Sequence, residues 1–567
     1  MRNTFCNKQF RSLMFTGAVT VVIQFLLVIS DTIVVGNILG EQALGAVNVV
    51  KPFSSFVIFI TSLVSIGTSV FYSYEIGKFD KEKADGLFGQ GIILAVISGV
   101  ILFLTGLLGK NFYFDYLNLS PQIEEAASAY FFYYQFVILL LPVYTVLLEL
   151  IYADGDGMIC NISSIVQIGL NVVVSIVLCY HIGIMGVGLG TFLGVAFSVV
   201  ILLVHFFRKQ NTLRFVWHIS RIDVFRVLKC GITDASAYLF MGMTSFIASK
   251  FVIYYFSEYY LPVLLVVINI LELTIIFDGI GQAITPIVNV YRGEENHVGI
   301  KRVMKTALMY AVAEGVSITV LLFLFGGNVA ELFGLANHQL VHITKNALRL
   351  VSPFFFCTGI LFLQTTYYMI IEKIFLATAI TGIKDWLIPS LSLSVLGLLF
   401  GIDGVWIAFG ISPFISIVVV ALIIYVRYGR EKFPLLLERE TNEIYIFDAE
   451  LISKNVIKLR DQIEELLSQK GITPKSIHRI MLFIEEVGML IHEKNPEKKV
   501  FCECSVLIGD DVQVIIRDDG VLIDVTNPDN DVESLRCYVV SHMMNHTRYK
   551  QSLTTTGYNR NTFRFEK

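Results

Sequence analysis

Residues 1–430 alternate long apolar stretches with short polar breaks, and beyond about residue 431 the pattern changes to ordinary polarity with charged clusters such as Arg460-Asp461-Gln462-Ile463-Glu464-Glu465. A bilayer crossing needs about 20 mainly apolar residues. The pattern predicts twelve such spans, at 12–36, 46–74, 86–109, 126–152, 159–182, 186–207, 228–256, 259–291, 303–326, 343–371, 375–400 and 404–427. The first stretch is too long for a cleavable signal peptide and carries Asp31 inside it. After Arg430 a different grammar begins. Residues 443–447 alternate like a strand, 449–469 and 473–493 read as helices, and 500–507 and 512–517 form a hairpin pattern around Gly509-Asp510-Asp511. Residues 532–544 read as a helix and 560–566 as a last strand, which together predict an α/β two-layer sandwich.

The membrane region is internally repeated. Ser65-Ile66-Gly67-Thr68 followed by Gly77-Lys78-Phe79-Asp80 recurs as Gly281-Gln282-Ala283-Ile284 followed by Gly293-Glu294-Glu295-Asn296, and Gly186-Val187-Gly188 recurs as Gly404-Val405-Trp406. The repeat predicts two six-helix bundles, 1–215 and 216–430, of the same topology, with 431–567 as a separate domain. Two such halves around a central cavity are the usual architecture of transporters that work by alternating access.

Composition narrows the class. Of 567 residues 55% are apolar and only 16% charged, which excludes a disordered chain and a wholly soluble enzyme. The net charge of −4 provides no basic field for nucleic acid. Lys and Arg gather in alternate breaks: Arg2, Lys8 and Arg11; Lys78, Lys81 and Lys83; Arg208, Lys209, Arg214, Arg221 and Arg226; Arg292, Lys301 and Arg302; Arg427, Arg430 and Lys432. That asymmetry predicts both termini, and the C-terminal domain, on the cytoplasmic side of the plasma membrane. The eight cysteines lie in spans or on that side, so no disulfide framework is expected, and Cys502-Glu503-Cys504 lacks the second pair a metal site would need.

Ser30-Asp31-Thr32-Ile33-Val34-Val35-Gly36, leading into Leu39-Gly40 and Ala43-Leu44-Gly45-Ala46, resembles the first-span signature of multidrug and toxic compound extrusion (MATE) transporters. The likeness continues at Asp154-Gly155-Asp156-Gly157, at Gly279-Ile280-Gly281-Gln282-Ala283 with Pro286, and at Gly293, and covers about 430 residues. It implies a secondary antiporter, not an enzyme, that exports organic cations or amphipathic drugs against inward H⁺ or Na⁺. It implies Asp31 as the ion-binding acid, with Asn171 and Thr191 as further polar members of the site. Many prokaryotic members have a second acid four residues after the asparagine; Ser175 stands there, leaving one full carboxylate, and proton coupling through Asp31 gains weight. Glu149, Asp278 and Glu314, charges inside predicted spans, are further cavity candidates, because an ionised group at mid-bilayer costs roughly 2.5–3.5 kcal/mol without a reason to be there. Lys250 and the pair Lys384-Asp385 are the remaining intramembrane charges singled out. Rings such as Phe132, Tyr134, Phe136 and Tyr144 suit flat lipophilic cations equally with lipid.

The C-terminal order of elements resembles the histidine-kinase-like ATP-binding fold, especially its anti-sigma serine-kinase branch. Glu485-Glu486 matches the acid pair of its first box, Asp518-Asp519-Gly520 its adenine-reading Asp-x-Gly, and Gly557 a late glycine before the final strand. Leu490 stands where the family's Mg²⁺-holding asparagine falls, and 527–533 contains no glycine for a phosphate lid. The expected module is catalytically inactive and regulatory, with a protein partner or ATP binding without hydrolysis, and no cofactor is required for transport. No Gly-x-x-x-x-Gly-Lys-Ser/Thr loop exists to drive transport by ATP. Two other readings stay open: a lipid-linked saccharide flippase, and a membrane sensor with a kinase-like output domain.

Overall fold

The computed structural model describes residues 4–77, 80–154, 156–208, 211–217, 219–430, 432–437, 443–521, 536, 539, 540, 548–553 and 558–567. Expectations placed on Lys78, Gly155, Lys209, the 527–533 segment, most of the 532–544 helix and Gly557 lie outside the described residues.

The polar breaks end helices by identifiable local chemistry. Helix α1 (Phe5–Leu39) passes into α2 (Glu41–Gly77) at Gly40, whose φ of +83° is the left-handed conformation that glycine adopts without strain. Asp80 caps α3 (Lys81–Leu117) by accepting from the Lys83 N–H. Pro121 opens α4 (Pro121–Ala153), where a missing N–H costs nothing. Asp156 caps α5 (Gly157–Ile182), and α6 (Ile184–Leu203) follows after Gly183. Ser220 caps α7 (Arg221–Tyr255), and α8 (Leu261–Glu272) leads through a 3-10 turn into α9 (Asp278–Gly293). Then come α10 (His297–Leu332), α11 (His338–Val351), α12 (Phe355–Ile370), α13 (Ile374–Gly382), a π-helical turn over Ile383–Leu387, and α14 (Ile388–Tyr428), which breaks at Gly401.

Among the described residues, ten helical stretches are long and apolar enough to cross a membrane, and Ile29–Leu39 adds a shorter apolar one. The last of the ten, Ile374–Tyr428, is divided by the break at Gly401. The break has a counterpart 218 residues earlier (401 − 183): Gly401 has φ +66° and ψ −148°, and Gly183 has φ +63° and ψ −143°. Just beyond each, Gly186 lies against the Leu178 carbonyl and Gly404 against that of Leu396, where any side chain would collide. The two halves therefore use the same glycine turn to fold their last hairpins.

The chain forms two compact units. One comprises Val19–Asp278 and Ala311–Leu422; the other comprises Met1–Ala18, Gly279–Tyr310 and Ile423–Lys567. The second unit is thus larger than the segment marked off by polarity at 431, since it also takes in the start of α1 and the α9–α10 hairpin. Its centre is a five-stranded antiparallel sheet, β1 (Glu443–Glu450), β2 (Phe501–Ile508), β3 (Asp511–Asp518), β4 (Arg548–Leu553) and β5 (Asn559–Glu566), in the order β1-β2-β3-β5-β4. Helices α15 (Ser453–Gln469) and α16 (Pro474–Glu493) cover one face with an apolar core that includes Val456, Ile463, Phe483, Val487, Cys504, Val514, Ile516 and Phe563.

A two-layer sandwich is expected from the pattern; the second sheet face is covered as well. Val298 packs against Ile444, Ile446, Leu507 and Ile515. Beside it lies a buried network of three arginines and three carboxylates. Arg517 from β3 forks between Glu294 and Glu503, and its guanidinium lies 4.8 Å from the centroid of the Tyr291 ring. Tyr291 donates its hydroxyl to Glu503 at 2.7 Å, Arg560 pairs with Glu294, and Arg302 pairs with Asp448. The side chains of Arg517, Glu294 and Glu503 are at most 1% exposed. Strand β2 is therefore buried on both faces from Cys502 to Ile508, with Glu503 and Ser505 on the face of the arginine network.

Removing one partner of a buried ion pair leaves the others uncompensated, at a cost of about 3–5 kcal/mol. Arg517→Ala should cost about that much in the second unit. Hydrogen exchange in β2 and β3 measures it, and unchanged protection there would show that the network contributes no stability.

Candidate functional site

The site in the larger unit is built from α1, α4, α5 and α6. Asp31 sits eight residues before the end of α1, and its Oδ2 accepts from Thr191 Oγ1 at 2.9 Å and from Tyr130 OH at 3.4 Å. Asn171 is a third polar neighbour of this carboxylate. Ser175, one turn further along α5, donates its hydroxyl to Asn171 Oδ1 at 2.9 Å, which orients the amide. Close packing makes this possible. Gly190 on α6 lies so near α5 that a Cβ there would stand 2.7 Å from the Ser175 backbone nitrogen, and a Cβ on Gly194 would stand 2.8 Å from the Gln167 carbonyl oxygen. Small residues of this kind let membrane helices approach until their polar side chains meet. The four residues read from the sequence, Asp31, Asn171, Ser175 and Thr191, are thus brought together. Asp31 Oδ1 has no hydrogen-bond donor among the described residues.

Tyr130 escaped the sequence reading, which singled out Tyr134 only as a ring suited to cations or lipid. Tyr130 and Tyr134 stack one turn apart on α4, with ring centroids 5.4 Å apart, and Tyr130 reaches Asp31. Their i, i+4 spacing was the available signal. Of the other rings singled out, Phe132 is 48% exposed, whereas Tyr144 is buried in a core with Val137, Leu147 and Val195.

The remaining intramembrane charges fall elsewhere. Glu149, Asp278 and Glu314 are half-buried. Glu314 Oε2 on α10 is buried without a partner among the described residues. Lys384 and Asp385 pair with each other within the π-helical turn, beside Trp386, which stacks on Phe240. Lys250 is expected to snorkel or to neutralise an acid; its Nζ instead donates to the Tyr116 carbonyl at 2.6 Å and lies over the Tyr116 ring. Lys51 on α2 was missed altogether, and it donates to Asn269 Oδ1 and Glu272 Oε2, each at 2.7 Å. The Asp154 and Asp156 motif has a local role: the two carboxylates grip the buried His205 ring from both nitrogens at 2.9 Å, and Arg208 reaches Asp156 at 2.8 Å. Burial pushes the Asp156 carboxyl up, but the His205 and Arg208 hydrogen bonds outweigh it and hold it below the ordinary carboxylate range.

In the second unit, Asp518 ends β3 and is fully buried. Its Oδ1 accepts from Asn559 Nδ2 at 2.9 Å and from the Gly520 N–H at 3.0 Å, whereas Oδ2 is buried without a donor among the described residues. Burial pushes this carboxyl up to about 6, against the pull of those two donors. Glu485 and Glu486 lie on α16, but Arg460 takes Glu485 at 2.7 Å and Arg536 takes Glu486 at 2.6 Å. Leu490 is part of the apolar core. Cys502 and Cys504 point into that same core, and no cluster of three or more metal-ligating side chains occurs among the described residues. His478 is exposed.

A helical membrane chain with a carboxylate held among hydroxyls and an amide is the outline of a transporter. Comparison with known proteins shows what the chain is similar to. The MatE family model matches residues 17–177. Multidrug export protein MepA of Staphylococcus haemolyticus is 24% identical over 382 residues, which are 65% of this chain and 82% of that protein. Among solved structures, an inward-facing multidrug resistance MATE family transporter of the MOP superfamily superposes with a TM-score of 0.67 at 22% identity, covering 71% of this chain and 94% of that one. A MOP superfamily transporter from Pyrococcus furiosus, described as having a binding pocket of reverse polarity, superposes with a TM-score of 0.63 at 21% identity and covers 75% of this chain and 96% of that one. The membrane part accordingly has the fold of MATE family transporters, and the MatE model matches within its first half.

Proposed function

We propose that the chain is a multidrug exporter of the cytoplasmic membrane, an antiporter that moves organic cations or amphipathic compounds outward against H⁺ or Na⁺. The observation that carries this reading is the Asp31 cluster, in which the only carboxylate has one oxygen held by Thr191 and Tyr130 and the other left without a donor. The proton is the favoured ion. A hard cation such as Na⁺ prefers several oxygen ligands, charged ones above all, and Ser175 in place of a second acid leaves Asp31 as the one full charge among the four residues of the cluster. A proton needs only the carboxylate, and its arrival changes which conformation of the transporter is favoured. In proteoliposomes, Asp31→Asn should abolish ethidium movement driven by an imposed pH gradient. Transport equal to wild type in that variant would remove Asp31 from the mechanism, and a response to a Na⁺ gradient alone would reassign the ion.

The C-terminal domain is read as a cytoplasmic regulator that ties the two halves together. Within the second unit it holds an element of each repeat. On the N-terminal side, Lys8 of α1 pairs with Asp519 and lies over the Phe501 ring, and Phe5 packs edge-on against Tyr558 at 5.3 Å. On the C-terminal side, the Arg517 network holds the α9–α10 hairpin. Phe10 and Asn7 also meet Tyr310 and Thr306 directly. Transport by alternating access requires the halves to move against each other, so such a tie restrains turnover. Lys8→Glu should therefore raise the ethidium transport rate while leaving its dependence on Asp31 intact; an unchanged rate would count against restraint.

The orphaned Asp518 oxygen favours a second role for the domain, binding of a purine through its exocyclic amine. The adenine end of such a site fits the residues present. The metal end does not, since Glu485 and Glu486 are engaged by arginines and Leu490 belongs to the core, so no phosphoryl transfer is derived. The sign of the pH dependence follows from the raised Asp518 carboxyl, about 6 against an ordinary value near 4. Without ligand, the folded domain holds this proton more tightly than the unfolded chain, so the stability it contributes is present below about pH 4 and lost as pH rises through 6. An amine donor prefers the carboxylate, so labelled ATP should bind the full-length protein more tightly at pH 7 than at pH 5, and Asp518→Asn should remove the difference. Binding independent of both pH and this substitution would exclude Asp518 as the reader.

A further inference from the structure

Four connections, α1–α2, α3–α4, α7–α8 and α10–α11, lie at the end of the bundle opposite the basic breaks. The two repeats meet there at two corners. At the first corner, Glu41 opens α2 and accepts through Oε1 from the Asn337 N–H at 2.7 Å and from the Ala336 N–H at 3.1 Å. Beside it, Asn37 Nδ2 donates to the Leu332 carbonyl at 2.8 Å, and Gly36 lies so close to the Phe333 carbonyl that no side chain would fit. At the second corner the repeats exchange roles. Glu258 opens the 3-10 turn that leads into α8, and its Oε1 accepts from the Ser120 N–H at 2.9 Å. Lys250 on α7 donates to the Tyr116 carbonyl at 2.6 Å.

These are one contact made twice. Glu41 and Glu258 stand 217 residues apart (258 − 41), as do Ser120 and Asn337 (337 − 120) and the carbonyls of Tyr116 and Phe333 (333 − 116), which is the spacing of the sequence repeat. Ser120 and Asn337 are the N-cap residues of α4 and α11. Each carboxylate thus takes an N–H that has no partner within its own helix, at the end where the helix dipole favours an anion. The chain reaches each cap through a left-handed residue, Asn118 at φ +53° and Gly334 at φ +81°. Deeper in, Lys51 of α2 reaches Asn269 and Glu272 of α8, each at 2.7 Å, so the junction of the repeats continues inward.

We propose that Glu41 and Glu258 are twin latches that close this end of the molecule, the end read as extracellular, and that both let go when it opens outward. The bonds suit that task. A carboxylate on a backbone N–H makes a hydrogen bond about twice as strong as a neutral one. The bond from Asn337 is exposed, so water satisfies both groups once they part. Each latch joins one repeat to the other, so the loss of either favours separation at both corners. The inference rests on the reading of the chain as an alternating-access transporter.

The test measures distances across each corner in the full-length protein in liposomes. Spin labels are carried by genetically encoded p-acetylphenylalanine at the exposed pairs Gln42 with His338 and Gln122 with Tyr254, and are read by double electron–electron resonance. Glu41→Ala should raise the ratio of long to short distances about tenfold in both pairs, including Gln122 with Tyr254, whose own latch is intact. Glu258→Ala should do the same, and the double variant should give about the product of the two. Glu41→Gln keeps an acceptor without the charge and should shift the ratio less. Movement confined to the mutated corner would reveal a local tether, and that result, like unmoved distances, overturns the proposal. Should the alanine variants fail to fold, Glu41→Gln combined with Glu258→Gln should still move both pairs, and unmoved distances there overturn the proposal too. Ethidium transport is followed in the same liposomes. Corners that open together in a protein that moves no ethidium under any gradient uphold the latches and sink the export reading; fixed corners in a protein that transports sink the latches alone.

Discussion

A charge taken out of water must be matched by a partner or neutralised by a proton, and most of what is distinctive in this molecule follows from how it meets that demand. Three solutions coexist. In the C-terminal unit six charges balance as three arginines against three carboxylates, sealed between a sheet face and the α9–α10 hairpin. At Lys51 a single cation spans two repeats. At Asp31 no cation is in contact, and the carboxylate relies on hydroxyls and an amide. The first is a closed arrangement. The last is open, since Asp31 Oδ1 has no donor among the described residues.

The two halves contribute unequally. Their backbones repeat down to the torsion angles of Gly183 and Gly401, yet the polar chemistry around Asp31 comes from α1, α4, α5 and α6 of the first half. The second half presents a self-neutralised Lys384 and Asp385, an unpartnered Glu314 oxygen, and the acceptors for Lys51. A duplicated scaffold thus carries different polar chemistry in its two halves.

The membrane architecture was legible because hydrocarbon thickness and backbone hydrogen bonding leave few choices, and length and apolarity are written directly in the chain. The grouping of Asp31, Asn171, Ser175 and Thr191 came from a family likeness, since residues 160 apart share no local signal. Tyr130 looked like any ring on an apolar helix. Lys51 passed unnoticed because its partners, Asn269 and Glu272, are more than 200 residues away. The second covered face of the sheet was hidden for a related reason. Arg302 reads as one more orientation charge and Arg517 as the end of a hairpin strand, and only their carboxylates, Asp448 and Glu294 from distant segments among them, turn them into buried groups. Strand β4 lies beside a stretch whose polarity has no period, and the pattern passed over it.

The sheet sandwiched between α15–α16 and the α9–α10 hairpin also bears on how such a chain could have been assembled over time. A domain joined by a linker can be gained or lost with little consequence for its host. Here Glu294 lies in the turn of the α9–α10 hairpin and Arg302 in the first turns of α10, yet their counter-charges Arg517, Arg560 and Asp448 lie in the C-terminal segment. A lineage that shed the segment would keep an orphaned acid and base on that hairpin, and one that acquired it afresh would have lacked them. A change on either side of these pairs leaves a buried charge on the other, so the C-terminal domain and the α9–α10 hairpin constrain each other's substitutions.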